Sequence, residues 1–313
     1  MPTFDTINYS LRPNKAIQRQ IVFDGLEFLD RHVPIRNALY VGFGSIWFSD
    51  FVLAHKRLGI TDMISIENKA IGAVRAKFNA PFRTVQIEEG DSTPVLEDIA
   101  AREQVLEKQW IVWLDYDLSI TQTTLDDIGL VLTHAPPNSV LLVTFDAGGL
   151  GMSASKRENY LRDLLQDAVP DDLPDNAFEK DNIPTTFARC LLDYIQAEAA
   201  NRARPGGFIP AFNIPYTDSA PMVTVGGFLL SPAARGAGKA CIQAEAWDGF
   251  ARVPVEAPPL TIKEVAALQR LLPSASQITR AGIQEIGFDL TEDQLAAYVE
   301  HYRRYPAFFQ VVA

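Results

Sequence analysis

Cysteine is almost missing from this chain, with two in 313 residues, Cys190 and Cys241. Two isolated cysteines form neither a disulfide framework nor a metal-spaced cluster, so both read as small buried apolar residues in a reducing, cytoplasmic setting. Histidine is equally sparse. His32, His55, His134 and His301 show no ligand spacing, read as packing or surface residues, and form no Ser-His-Asp or Cys-His arrangement. No metal site is predicted from them. No run approaches about 18 consecutive apolar residues, so no membrane span is expected. The opening MPTFDTINYSLRPNK lacks the apolar core of a secretory signal. Basic charge is short as well: 28 Lys and Arg stand against 39 Asp and Glu, a net charge of −11. That balance counts against a surface gripping nucleic-acid phosphates without specificity. There is one local exception, the trio Arg12, Lys15 and Arg19, which reads as a solvated helix face or as a patch meeting an anionic substrate or the cofactor.

What is present is a repeated alternation. The runs ALYVGF (38–43), DMISIE (62–67), FRTVQIE (82–88), WIVWLD (110–115) and SVLLVTF (139–145) predict buried strands. Helix-like stretches near 46–58, 69–79, 92–108 and 122–135 separate them. Strand, helix, strand, helix in this order predicts a parallel, doubly wound α/β sheet covered on both faces. Beyond Phe145 helices are predicted near 155–167 and 185–203, with an acidic loop between. FIPAFNIPYT (208–217) and PMVTVGGFLL (221–230), parted by Asp-Ser-Ala, predict an antiparallel hairpin. Class I methyltransferases end their sheet this way, and dinucleotide-binding domains typically do not. The expectation is a Rossmann-like class I methyltransferase fold: a mostly parallel seven-stranded sheet with a C-terminal antiparallel hairpin and a small helical appendage. The divisions expected are an N-terminal lid or helical segment (1–35), the methyltransferase domain (36–232) and the appendage (233–313). In the appendage, Thr261 with Glu264 and Thr291 with Gln294 have capping-box spacing. Helices near 262–272 and 292–304 follow, linked by AGIQEIGF, with a packing or dimerisation role preferred over a winged helix.

The strongest local signal is LYVGFGSIWFSDF (39–51). Gly42 and Gly44, between a predicted strand and helix, let the backbone turn tightly beside a ligand, with Phe43 and Ser45 in the same turn. Trp47 stands where the dinucleotide fingerprint has its third glycine, which lowers the NAD(P)-dependent reading. Glu67 ends the second strand about twenty residues on, where an acid accepts from ribose hydroxyls; Asn68, next in line, is expected to line the same cofactor pocket. In EEGDS (88–92), Asp91 and Ser92 are placed to meet the adenine or to cap the next helix. In WLDYDLS (113–119), Asp115, Tyr116 and Asp117 fall at the carboxyl end of the fourth strand, facing the reactive methyl group and the acceptor, with Asp115 and Tyr116 also candidate cofactor contacts. Asp115 or Asp117 is the candidate base, the alternative being a cap or a solvated charge. The Asp-Tyr-Asp-Leu sequence lacks the prolines of the amino-directed DNA methyltransferase tetrad. Asp115-Tyr-Asp117 and Asp146-Ala147 echo the metal-dependent catechol type, but Ala147 removes one oxygen ligand.

These blocks, together with NYSLRPNKAIQR, FNAPF and WLDYD, resemble a bacterial O-methyltransferase family over roughly residues 8–230. The resemblance implies S-adenosylmethionine held at the Gly42–Gly44 turn. It also implies a role for Tyr9, Arg12, Asn14 and Lys15 in a segment folding over the cofactor, and a partner protein encoded nearby. It does not identify the acceptor. The competing functions are a nucleic-acid methyltransferase and a non-catalytic partner-binding protein retaining the fold.

Overall fold

The computed structural model describes residues 12–148, 151–251, 253–274, 276 and 278–306. Its sheet is built from β1 (Leu39–Gly42), β2 (Asp62–Glu67), β3 (Val85–Glu89), β4 (Trp110–Asp115), β5 (Ser139–Asp146), β6 (Ile209–Thr217) and β7 (Pro221–Leu229). The strand order is β3-β2-β1-β4-β5-β7-β6. The first five strands pair in parallel, and β7 runs antiparallel between β5 and β6. This is the expected Rossmann-like class I methyltransferase sheet, with the 208–230 region forming the hairpin.

Each central strand feeds two cores because successive side chains point to opposite faces. In β4, Trp110, Val112 and Leu114 pack on one side, and Ile111 and Trp113 on the other. The first core is covered by α4 (Ser92–Ala100), α5 (Gln122–His134), α6 (Ala154–Leu165) and α7 (Ile183–Asn201). The second is covered by α1 (Pro13–Asp30), α2 (Ser49–Leu58), α3 (Ala70–Asn79) and α8 (Arg235–Gln243). Cys190 and Cys241 are both buried, one in each core.

Three differences from the sequence reading have physical causes. Residues 46–48 are not helical, because Phe48 adopts a left-handed backbone (φ 48°) and α2 starts after it. The segment expected to fold over the cofactor is, from Pro13 to Asp30, a core helix. Its stripe Ile17, Ile21, Val22, Leu26 and Leu29 is fully or almost fully buried against the sheet. The appendage begins near Leu260 rather than at 233. Trp247, Val255 and Ala257 still belong to the sheet core, and Phe250 and Val255 form parallel bridges along β6, covering an otherwise open edge. Beyond them α9 (Ile262–Gln269), α10 (Arg280–Ile286) and α11 (Glu292–His301) enclose their own cluster around Leu268, Ile283 and Tyr298. Thr261 and Thr291 do form capping boxes with Glu264 and Gln294. The linking segment between them is itself helical, started by Thr279, whose hydroxyl accepts from the Gly282 amide.

Candidate functional site at the carboxyl edge of the sheet

The turn after β1 is locked from beneath. A Cβ at Gly44 would lie 2.5 Å from the Phe48 ring and 2.8 Å from Ser65 Oγ, so only glycine fits there. Ser45, next in the chain, has φ 52°, and this left-handed backbone concentrates strain in the turn. The Gly44 amide donates to Ser65 Oγ (3.0 Å), and that hydroxyl donates to Glu67 Oε1 (3.1 Å). Glu67 is 5% exposed. Burial pushes its carboxyl up to about 7, opposed by hydrogen bonds from the Ser65 hydroxyl and the Ser45 amide. Asn68, the next residue, is exposed.

Gly42 pairs with Ser65 on one side and Trp113 on the other, and Glu67 with Glu89. The register therefore gathers the ends of β1 to β4 into one edge. Asp91 is the N-terminal boundary residue of α4, but its side chain makes no cap hydrogen bond and is exposed, so the capping alternative fails for it. Ser92 lies near enough to Asp127 to oppose the rise of its carboxyl. Asp127 is fully buried on α5. It accepts from Thr93 Oγ1 (2.6 Å) and from the Tyr116 hydroxyl (2.5 Å). The Tyr116 ring meets Phe43 edge-on at 5.3 Å, so one carboxylate ties together the loops after β1, β3 and β4. Burial raises the Asp127 carboxyl above its ordinary range. Sequence reasoning missed Asp127 and Thr93. The available signal was an acid among Thr124, Ile128 and Val131, on the face that α5 buries. Asp127→Ala is expected to strand these donors and cost about 1–3 kcal/mol, read as a lower midpoint in urea unfolding. An unchanged midpoint would remove the role of Asp127 as a tie.

Asp115 pairs in register with Thr144. Its carboxylate meets Lys15 Nζ at 3.1 and 2.9 Å, with Arg19 Nη2 at 3.9 Å. Lys15 and Arg19 are buried. The first turn of α1 therefore lies beside β4. Asn14 donates to the Thr217 carbonyl (2.6 Å), and Arg12 pairs with Asp218 in the hairpin turn. Tyr9 lies outside the described residues. Asp117 is exposed. Neither aspartate caps α5, whose start is held by Thr121 and Thr124. Asp50, also absent from the sequence reading, is buried below Gly42 and accepts from the Tyr40 hydroxyl at 2.7 Å. Its carboxyl is raised by burial against the pull of Arg19. Asp146 Oδ1 accepts from the Gly148 amide in its own loop (2.6 Å). Among the described residues no group of three or more His, Cys, Asp and Glu is arranged to hold a metal ion, and no helix is long and apolar enough to cross a membrane. His55 packs on Phe82 and bonds the Ile60 carbonyl, away from this edge.

Two solved structures to which the chain is similar set the scale of the likeness. Trm1 from Pyrococcus horikoshii in complex with S-adenosyl-L-methionine is 14% identical, with a TM-score of 0.48 over 72% of this chain. The match spans 58% of that protein's length. An O-methyltransferase from Bacillus cereus in complex with SAH is 14% identical, with a TM-score of 0.38, covering 64% of this chain and 79% of the other. No curated protein matches the sequence. A family model covers nearly the whole chain, residues 7–313, and the chain belongs to that family, described as "Putative O-methyltransferase".

Proposed function

We propose that this edge binds S-adenosylmethionine and that the protein directs methyl transfer to an oxygen of an acceptor lying beside Asp115 and Asp117. The observation that carries the reading is Glu67, a buried carboxyl at the end of β2, joined through Ser65 to the Gly44 amide. A buried carboxylate needs donors, and the vicinal hydroxyls of a ribose supply two. Gly42 and Gly44 leave the turn without side-chain bulk, Phe43 and Tyr116 supply an apolar wall, and the uncommitted Asp91 side chain offers an acceptor for an exocyclic amine. When bound, the cofactor supplies an electrophilic methyl carbon on a sulfonium. The chain's own part is to orient the acceptor and accept its proton. Asp115 is held in place for this by Lys15, and Asp117 stands two residues farther out. Asn14 and Lys15 in the first turn of α1, and Arg12 just before it, border the same space.

Ligands that bind only the native state raise its melting temperature by mass action. S-adenosylmethionine or S-adenosylhomocysteine is expected to raise it by several degrees, and NAD or NADP to leave it unchanged. Stabilisation by the dinucleotides alone would overturn the reading.

A further inference from the structure

Helix α3 turns its large apolar side chains away from the core. The residues it buries are Gly72, Ala73 and Ala76, while Ile71 is 79% exposed, Val74 68% and Phe78 89%. Spaced three and four apart, these three form one stripe on the helix surface, about 10 Å long at 1.5 Å per residue. A surface helix ordinarily presents its large apolar residues to the core. Here small residues bring the helix close to the sheet and leave a contiguous ridge in water, which marks an interaction site. The charge around the ridge is opposite in sign to that of the chain as a whole. No acid occurs between Glu67 and Glu88, whereas Lys69, Arg75, Lys77 and Arg83 all fall there, in a protein of net charge −11. Lys69, Lys77 and Arg83 are exposed, and among the described residues none of the three has an ion-pair partner.

We propose that this face docks a short amphipathic helix of another protein, with acidic residues flanking its apolar stripe. Charge selects the occupant. A second copy paired through α3 would set Lys69, Lys77 and Arg83 against themselves across a two-fold axis. A bilayer or a nucleic acid is an extended anionic surface. Either would press against exposed Glu89, which pairs with Glu67 shortly before α3 begins, and against the acidic remainder of the molecule. A helix about 10–12 Å wide covers α3 alone. Because α3 follows Glu67 and Asn68 directly, the docked helix lies at the rim of the edge described above. The inference holds whichever cofactor that edge takes.

The test uses the full-length protein and a fluorescein-labelled synthetic peptide, helical, with leucines three and four apart and glutamates between them. The comparison probes are the same peptide with lysine for glutamate, phosphatidylglycerol vesicles and a DNA duplex. Anisotropy is expected to show saturable binding of the acidic peptide that falls with added salt. Phe78→Ser is expected to weaken it by about tenfold or more, and so is the pair Lys77→Glu with Arg83→Glu, all with unchanged melting temperature. The lysine peptide is expected not to bind. The proposal is overturned if the acidic peptide fails to bind, if Phe78→Ser leaves its affinity intact, or if vesicles or duplex bind in its place. A dimer in sedimentation that Phe78→Ser dissociates would also overturn it, giving the face to a second copy.

Discussion

In Glu67→Gln, stability between pH 5 and 8 is expected to lose a downward slope that the parent protein shows. The Glu67 carboxyl sits near 7 in the folded chain against 4.5 when unfolded, because burial disfavours its charged form. The folded state therefore binds this proton more tightly than the unfolded state does. Its contribution is fully present below about 4.5 and is lost as pH rises through 7, amounting to about 3 kcal/mol at 1.36 kcal/mol for each tenfold change. Glutamine does not titrate, so the two proteins should converge in acid and separate toward pH 8 in urea unfolding. Ribose hydroxyls donating to the carboxylate would offset the loss, so S-adenosylmethionine should stabilise the parent more at pH 8 than at pH 6. Glu67→Ala should weaken cofactor binding tenfold or more, since charge-assisted hydrogen bonds contribute about 1.5–3 kcal/mol each. Parallel stability curves for parent and Gln variant would show that Glu67 titrates alike in both states. Unchanged affinity in the Ala variant would move ribose recognition elsewhere.

Lys15→Met is expected to destabilise the fold by about 3 kcal/mol, the lower end of the range for removing one partner of a buried pair. Arg19, 3.9 Å from the stranded Asp115, softens the loss. Asp115→Asn removes the carboxylate that Lys15 pairs with, its side chain 4% exposed, and should cost a similar amount. The double variant should cost clearly less than the sum, because both single changes remove the same Lys15–Asp115 interaction. Additive losses in urea unfolding would mean that the pair is not coupled. Turnover separates the second role of Asp115. If it orients the acceptor or takes its proton, Asn at 115 slows methyl transfer by about 10²–10⁴-fold while cofactor affinity stays near that of the parent. Asp117→Asn, carried through the same assay, decides between the two aspartates. Parent rates in both variants would remove the loop after β4 from the chemistry.

By itself the sequence determined the sheet, because its information is local and periodic. Continuous apolar runs such as WIVWLD are buried on both faces, and each ends in the residue that the carboxyl edge displays: Gly42, Glu67, Asp115. Threonine caps three residues from their partners were legible for the same reason. Only the tertiary structure decided which side chains meet across the chain. Lys15 lies 100 residues from the Asp115 it neutralises, and Asp127 lies 34 residues from Thr93 and 11 from Tyr116. Spacing along a strand or helix says nothing about such pairs. The same holds for the N-terminal segment, expected as a lid or a helix, which from Pro13 to Asp30 is helix α1 in the core. It sits in the core because the face of the sheet beside Trp113 and Phe212 needs covering, and burying Ile17, Val22 and Leu26 there removes their apolar surface from water.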